Sequence, residues 1–271
     1  METIFYYSVD KSQLNFALIS ALSLKKNNKN IKIGLIFLGD LQENKVKKIK
    51  NFFDFFHIED NFYDVIVDNH ISMAAYLRYK VYEIWNNFDL YVYLDADTLI
   101  KKELNFSNFL KSQEKIAMVE DFNWRYLPCA KRFNLENYFN SGVILFKKDF
   151  FYSFEFKNFL NLNKTYEKFI KFHDQCTLNI LFHLEKIKVY ELDSKFNYLS
   201  NNFISKSSFP SDAHIIHFNA FMGKPWQFIC FHPEKNNWRK MSKEANNKWL
   251  YEIGSFWKIR SLIKNKIKSF F

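Results

Sequence analysis

The sequence has few of the residues in which flexible or cross-linked proteins are rich. Only 5 Gly and 4 Pro occur among 271 residues, which leaves little room for linkers or low-complexity tails. The 3 cysteines, Cys129, Cys176 and Cys230, are odd in number and lack the paired spacing of zinc sites or disulfide frameworks. We therefore expect one compact unit in a reducing compartment.

The sequence also has no long apolar run, and we expect no leader peptide. No stretch reaches the roughly 20 apolar residues that a membrane span requires, and residues 1–7 resemble a short strand more than a signal peptide. We expect a cytoplasmic protein. The formal net charge of +10 would suit nucleic acid, anionic lipid or a phosphate-bearing substrate. Because Lys is scattered along the chain, we interpret most of this charge as solvated surface and expect no nucleic-acid partner.

Apolar runs alternate with segments of helical spacing. The predicted strands cover residues 3–7, 31–38, 64–67, 90–94, 116–119, 142–146, 188–192 and 213–218. The predicted helices cover residues 13–24, 42–56, 74–85 and 174–184. This alternation predicts an α/β fold, with a Rossmann-like, mostly parallel sheet flanked by helices.

Two aspartates, Asp95 and Asp97, directly follow the predicted strand at 90–94. Ligands in open α/β sheets bind beyond the carboxyl ends of the strands. Two carboxylates separated by one residue can both be aimed at one hard cation such as Mg²⁺ or Mn²⁺, which would bind a diphosphate. The alternative is that one Asp caps the following turn and the other is solvated.

Five segments in a fixed order resemble the motifs of glycosyltransferase family 8, whose members are retaining enzymes with the GT-A fold. They are residues 71–78 ending in Arg78, Y-L-D-A-D-T at 93–98, Y-F-N-S-G-V-I-L-F at 138–146, H-D-Q at 173–175, and I-I-H-F to K-P-W at 215–226. The family includes glycogenin and bacterial lipooligosaccharide galactosyltransferases. The resemblance implies transfer of galactose or glucose from a UDP-sugar to a glycan or glycolipid, such as lipooligosaccharide or another bacterial surface glycan.

The resemblance also implies a role for each matching residue. Asp95, Asp97 and His217 would hold Mn²⁺ or Mg²⁺, which neutralises the leaving nucleoside diphosphate. Asp174 would bind sugar hydroxyls, and Gln175 would present an amide oxygen to the oxocarbenium ion, in a covalent or a front-face mechanism. The residues assigned to the donor nucleotide-sugar are Tyr7, Ser8, Asp10, Arg78, Ala96, Asn140, Gly142, Gly223 and Lys224.

Each assignment competes with a simpler one. These are surface charge for Arg78 and Lys224, a turn for Asn140, a helix cap for Asp174 and a structural imidazole for His217. The chain also departs from the family after the first predicted strand, where Asp10 would replace the usual acidic residue and Tyr. One extra residue separates His217 from Lys224.

The last residues, 251–271, are predicted as a basic amphipathic segment that follows a catalytic domain over residues 1–250. From Gly254 onward this segment has 5 basic residues and no acid, with apolar residues at helical spacing. Each Lys or Arg near anionic lipid contributes on the order of 1 kcal/mol. We expect the segment to hold the protein on the inner face of the cytoplasmic membrane; the alternative is a helix packed on the catalytic domain.

Two other function classes compete with glycosyl transfer. L-D-A-D-T also resembles the signature of haloacid-dehalogenase-like phosphatases, but that signature normally closes the first strand, and no G-D-x-x-x-D follows. A non-enzymatic module that binds membranes or polyanions would need the charge and the aromatics without the carboxylates. Glu120 and Asp121 follow a predicted strand and are candidates for contact with an acceptor hydroxyl.

Overall fold

A computed structural model describes residues 1–60, 63, 65, 72–122, 124–200, 212–219, 224–227, 230 and 232–245. The strands in these residues are β1 Thr3–Val9, β2 Lys32–Leu38, β3 Phe55–Glu59, β4 Leu90–Leu94, β5 Thr98–Ile100, β6 Ile116–Glu120, β7 Phe139–Lys147, β8 Val189–Glu191, β9 Tyr198–Leu199 and β10 Ile215–His217. Seven of them form a sheet in the order β3-β2-β1-β4-β7-β6-β8, and three form a second sheet in the order β5-β10-β9.

Helices connect the strands of both sheets. The α-helices are α1 Leu14–Asn27, α2 Glu43–Phe52, α3 Val81–Ile84, α4 Ser107–Lys111, α5 Pro128–Phe133, α6 Phe156–Thr165, α7 His173–Leu184 and α8 Lys235–Ala245. The 3₁₀ helices are Met73–Lys80, Lys148–Tyr152, Glu167–Phe169 and Ser194–Phe196. Among the helices of the described residues, none has both the length and the apolar character needed to cross a bilayer.

The central strand β1 shows why the large sheet is buried on both faces. Successive side chains of a strand point to opposite faces. Ile4 and Tyr6 pack in one apolar cluster with side chains of α6 and α7, whereas Phe5 and Tyr7 pack in another with side chains of α1 and α8. This confirms the predicted α/β fold with a mostly parallel sheet flanked by helices.

The predicted helix at 42–56 extends four residues too far, because residues 53–56 are not helical. Helix α2 ends at Phe52, and the following residues form β3, which is parallel to β2. Asp54 causes the change, because its backbone N–H donates to the carbonyl of Ile33 at 2.9 Å and its carboxylate accepts the N–H of Ile33 at 2.9 Å. The chain therefore docks on β2 immediately after α2. Of the predicted strand at 64–67, only Val65 is among the described residues.

Most of the predicted helix at 74–85 is a 3₁₀ helix, Met73–Lys80. The single turn of α3 follows it. The Ser72 side chain accepts the N–H of Ala74 at the start of the 3₁₀ helix, as an N-cap residue does. Residues 251–271 lie outside the described residues. The predicted membrane segment therefore stays a prediction from sequence.

Pairing of the small sheet brings His217 to the aspartate pair. The loop from β4 to β5 carries Asp95 and Asp97, and β5 is antiparallel to β10 with Thr98 opposite His217. The N–H of Phe218 donates to the carbonyl of Asp97 at 3.0 Å. Two segments distant in sequence are thus joined at the carboxyl end of β4, where an open α/β sheet binds its ligands.

A bulge in β7 forms the other side of this location. Met118 of β6 pairs with Ile144, but the next residue, Val119, pairs with Asn140, so β7 has extra residues at this point. The N–H of Asp95 donates to the carbonyl of Gly142, inside the bulge, at 2.8 Å. Bulges often re-aim side chains next to active sites, and this one brings residues 140–142 beside the loop after β4.

Candidate active site

Asp95, Asp97 and His217 form a possible metal site. One ligand atom from each lies within 4.8 Å of the others. The Nε2 atom of His217 is 3.4 Å from Oδ2 of Asp95 and 3.2 Å from Oδ1 of Asp97. Carboxylate oxygens suit Mg²⁺ and Mn²⁺, and a neutral imidazole is a common further ligand. The donor set therefore fits one divalent cation.

Lys224 places a positive charge next to the Asp97 carboxylate. Its Nζ lies 3.0 Å from Oδ2 of Asp97. Burial raises the pKa of the Asp97 carboxyl, but the charges of Lys224 and His217 outweigh burial and hold this pKa well below its usual value. Burial lowers the pKa of His217, yet Asp97 and Asp95 more than offset this and leave it raised. Asp97 is thus ionised at neutral pH, as a metal ligand must be.

Asn197 holds the far side of the His217 ring. The Oδ1 atom of this fully buried Asn lies 3.1 Å from Nδ1 of His217, and its Nδ2 donates to Oδ1 of Asn140 at 2.8 Å. An amide oxygen only accepts hydrogen bonds, so this contact favours a proton on Nδ1 and leaves the Nε2 lone pair for a metal. No motif in the sequence marks Asn197, because it reaches His217 through the pairing of β9 with β10.

If the cluster holds a divalent cation, replacing Asn197 with alanine is expected to weaken Mn²⁺ binding by about 10- to 100-fold. Without the amide, neither the ring orientation nor the tautomer of His217 is fixed. The measurement is a titration of the protein with Mn²⁺, in which bound and free Mn²⁺ are quantified. Asn161, which is exposed on α6, offers a matched control in Asn161→Ala, and equal Mn²⁺ curves for the two variants would contradict the assigned role.

The Arg78 guanidinium is buried and contacts both the loop after β4 and helix α7. Its Nη2 lies 3.2 Å from Oδ1 of Asp95, and its Nε lies 3.6 Å from Oδ2 of Asp174. Its Nη1 donates to the carbonyl of Ser141 at 2.5 Å. The side chain is 5% exposed, so the surface-charge alternative is wrong. A buried cation shared by two carboxylates fixes their relative position, and loss of one partner would leave a charge unpaired.

The first turn of α7 carries Asp174. The preceding residue, His173, has a φ of +40°, in the left-handed region that side chains other than glycine rarely adopt. Oδ2 of Asp174 accepts the hydroxyl of Tyr79 at 2.8 Å. Burial raises the pKa of Asp174 although Arg78 opposes it. The carboxylate thus bonds the side chains of Tyr79 and Arg78, and its assignment to sugar hydroxyls stays a prediction.

Gln175 is held at both ends of its amide. Its Oε1 accepts the N–H of Ser141 and the Nδ2 of Asn140, each at 3.1 Å. Its Nε2 donates to Oδ2 of Asp121 at 2.9 Å, and Asn140 donates to the same carboxylate oxygen at 3.2 Å. Asn140 is therefore part of a network that runs from Gln175 to the imidazole of His217, through Asn197.

Gly142 lies against the imidazole of His217. A Cβ built on it would lie 2.1 Å from Cε1 and 2.4 Å from Nδ1 of His217. Its N–H donates to Oδ1 of Asn140 at 3.0 Å. The neighbour of Gly142 is therefore the imidazole of His217, and only glycine leaves room for it.

Tyr7 and Ser8 face the interior of the protein. The Tyr7 side chain is fully buried, its hydroxyl lies 3.0 Å from that of Ser20 in α1, and burial raises its pKa. Its side chain therefore does not face a bound nucleotide, which corrects the assignment from sequence. The Ser8 hydroxyl donates to the carbonyl of Ala74. The phase of β1 explains both placements, since alternate residues pack on opposite faces of the sheet.

The other residues assigned to the nucleotide have mixed placements. The Asp10 carboxylate accepts the N–H of Ser12 at 2.7 Å and closes the turn into α1, as short acidic side chains do. Ala96 is partly buried between the two aspartates and packs against the core. Gly223 lies outside the described residues. The departure from the family at Asp10 thus lies in the turn between β1 and α1, which the Asp10 carboxylate itself closes.

A family model described as Glycosyl transferase family 8 matches residues 4–230. Among solved structures, galactosyltransferase LgtC in complex with donor and acceptor sugar analogues is 19% identical, over 91% of this chain and 99% of that chain, with a TM-score of 0.73. The apo form of glycosyltransferase GlyE from Streptococcus pneumoniae TIGR4 is 18% identical over 93% and 63%, with a TM-score of 0.64. Mouse xyloside xylosyltransferase 1 is 16% identical over 81% and 98%, with a TM-score of 0.55. No curated protein matches the sequence.

Proposed function

The chain belongs to glycosyl transferase family 8, and from this premise we propose that it is a retaining hexosyltransferase. The donor is a UDP-sugar that carries galactose or glucose, and the acceptor is a glycan or glycolipid, such as bacterial lipooligosaccharide or another surface glycan. The observation that carries the proposal is the cluster of Asp95, Asp97 and His217, with ligand atoms within 4.8 Å of one another. The phosphatase hypothesis loses its basis, because the aspartates follow the fourth strand of the chain.

Charge is the first requirement of glycosyl transfer that this site meets. Asp95, Asp97 and His217 would hold Mn²⁺ or Mg²⁺, which when bound supplies positive charge to the diphosphate leaving group. Lys224, 3.0 Å from Asp97, would offer a point charge to a phosphate oxygen. Arg78 holds the Asp95 carboxylate in position through an ion pair. Charges placed in advance where negative charge develops lower the barrier without reorganisation.

Stabilisation of the sugar cation is the second requirement. Gln175 is fixed by hydrogen bonds to Ser141, Asn140 and Asp121, so its amide dipole has a set direction. The amide would stabilise positive charge at the anomeric carbon, either beside an ion pair in a front-face reaction or as a weak nucleophile. Asp174, held by Tyr79 and Arg78, would accept hydrogen bonds from sugar hydroxyls.

Replacing Gln175 with alanine is expected to lower turnover by about 10²- to 10³-fold and to change UDP affinity by less than about 3-fold, because Gln175 is assigned to the sugar and not to the nucleotide. Turnover is measured with a UDP-sugar, and UDP affinity by calorimetry. Gln113, an exposed residue before β6, gives the control Gln113→Ala. Unchanged turnover, or an equal loss of UDP affinity, would contradict the assignment.

We propose the region beside Asp121 for the acceptor. Asp121 follows β6 and bonds Gln175, while Phe122 and Tyr126 are 44% and 51% exposed. Exposed aromatic side chains next to a polar site are typical of ligand-binding surfaces.

Attachment to the inner face of the membrane through residues 251–271 is a further part of the proposal. Its support is the composition of that segment, with 5 basic residues and no acid from Gly254 onward.

The donor and the metal are tested together by screening UDP-sugars for hydrolysis without an acceptor. We expect slow release of UDP from UDP-galactose or UDP-glucose with Mn²⁺, loss of this activity after chelation with EDTA, and recovery when Mn²⁺ is restored. An aryl phosphate should release no phosphate. Donor hydrolysis that survives chelation, or phosphate release from the aryl phosphate, would contradict the proposal.

A further inference from the structure

Two of the three cysteines meet next to the candidate active site, although they are distant in sequence. Sγ of Cys129, in α5, lies 3.5 Å from Sγ of Cys176, in α7. Both side chains are fully buried in a small apolar cluster, separate from the two cores of the sheet. Cys176 directly follows Gln175. The spacing of the cysteines in the sequence gives no sign of this contact.

The surroundings of Cys176 favour its thiolate. Its sulfur receives the S–H of Cys129, lies 3.1 Å from the hydroxyl of Tyr138, and accepts the N–H of Phe172 at 3.2 Å. It also lies in the first turn of α7, at the positive end of the helix dipole. The hydrogen bond from Cys129 is the largest cause of a lowered pKa at Cys176, and the same bond raises the pKa of Cys129. The pair thus combines a nucleophilic sulfur with a neighbouring thiol.

We propose that Cys129 and Cys176 are a redox modification site, which a hydroperoxide converts into a disulfide that lowers the transferase activity. The Cys176 thiolate attacks one peroxide oxygen, the O–O bond breaks, and the other oxygen takes a proton and departs, as water from hydrogen peroxide or as an alcohol from an organic hydroperoxide. The sulfur of Cys129 then attacks the sulfenic sulfur, the S–O bond breaks, and the thiol proton leaves with the hydroxide as water. The two thiols lose two electrons and the peroxide gains them.

Access to the pair requires a local opening, because both sulfurs are buried. Helix α5 has six residues and is followed by Asn134, which has a φ of +49°. A short helix against a small satellite cluster can open at a lower free energy than the global unfolding of the domain. Hydrogen peroxide is small enough to enter such an opening. We therefore expect oxidation to be slow, over minutes to hours, and reversible by a dithiol.

The effect on activity follows from the position of Cys176 in the chain. A disulfide needs the sulfurs to approach from 3.5 Å to about 2.0 Å. Helix α5 and the first turn of α7 must therefore move closer to each other. That turn carries Asp174 and Gln175. A displacement of about 1 Å at a reacting group can cost about 10²-fold in rate. This loss of rate rests on the proposed function, whereas formation of the disulfide does not.

The test uses the reduced full-length protein and hydrogen peroxide. After treatment, free thiols are alkylated, the protein is digested without reductant, and peptides are identified by mass spectrometry, while Mn²⁺-dependent UDP-sugar hydrolysis is measured in parallel. We expect linked Cys129 and Cys176 peptides to accumulate as hydrolysis falls by at least about 10-fold, and dithiothreitol to reverse both changes. Cys230→Ser should behave as wild type, whereas Cys129→Ser and Cys129→Ala should keep their basal activity and form no link.

Two results would overturn the proposal. One is the absence of the linked peptides while peroxide oxidises other residues. The other is a reversible loss of activity in Cys129→Ser or Cys129→Ala that matches the wild type. If the reduced wild type hydrolyses no UDP-sugar, the proposed function fails, and the peptides still decide whether Cys129 and Cys176 form a disulfide.

Discussion

The Asp97→Asn variant is expected to lose metal-dependent donor turnover by about 10³-fold or more. The carboxylate of Asp97 lies 3.2 Å from Nε2 of His217 and 3.0 Å from Nζ of Lys224. An amide keeps the shape of this side chain but removes its charge, and a neutral oxygen is a much weaker partner for a divalent cation. The variant also leaves Lys224 without the anion that positions it.

The measurement for Asp97→Asn is turnover of a UDP-sugar at saturating Mn²⁺. Asp149, in the 3₁₀ helix Lys148–Tyr152, offers the control Asp149→Asn, which makes the same chemical change away from the site. Thermal unfolding of both variants shows whether a loss of turnover is caused by unfolding or by the loss of the carboxylate. Turnover in Asp97→Asn within a factor of about 3 of the control would contradict the metal role of Asp97.

The Gly142→Ala variant is expected to lose activity to a similar extent by a steric route. The added Cβ would lie 2.1 Å from Cε1 and 2.4 Å from Nδ1 of His217, well inside the roughly 3.5 Å at which carbon atoms touch. The ring must therefore move by about 1.4 Å, the difference between 2.1 Å and about 3.5 Å, away from its bond to Asn197 and from the aspartate pair. Forcing one extra carbon into a packed site also costs about 1–3 kcal/mol of unfolding free energy.

A double-mutant cycle isolates this clash. In the His217→Ala background the imidazole is gone, so Gly142→Ala should cost much less unfolding free energy than it does in the wild type. Activity should remain absent in the double variant, because a metal ligand is missing. Both free energies come from denaturant unfolding. An equal cost of Gly142→Ala in the two backgrounds would show that its effect does not pass through His217.

The parts of the site that are predictable from sequence are those fixed by local geometry. Asp95 and Asp97 directly follow a continuously buried strand, β4, and the carboxyl end of such a strand is where α/β folds bind ligands. The phase of β1 was also readable in principle. Tyr7 is two residues after Phe5 and so points to the same face of the sheet, toward α1, because side chains alternate along a strand.

The parts that are not predictable depend on contacts between distant segments. Asn197 reaches His217 only because β9 and β10 pair, and Cys129 reaches Cys176 only because α5 packs on α7. The error at β3 has a different cause, since the aromatic run at 52–56 fits both helical and strand spacing. Docking of Asp54 on Ile33 decides in favour of the strand, and no local pattern encodes that docking.

The claim that Asp95, Asp97 and His217 together hold a divalent ion is tested most directly by titrating Mn²⁺ into the protein with UDP present. Free Mn²⁺ is followed by its electron paramagnetic resonance signal. We predict that the wild type takes up one ion per chain and that Asp97→Asn takes up almost none at the same concentrations. Equal uptake by both proteins, or no uptake by the wild type, would contradict the claim.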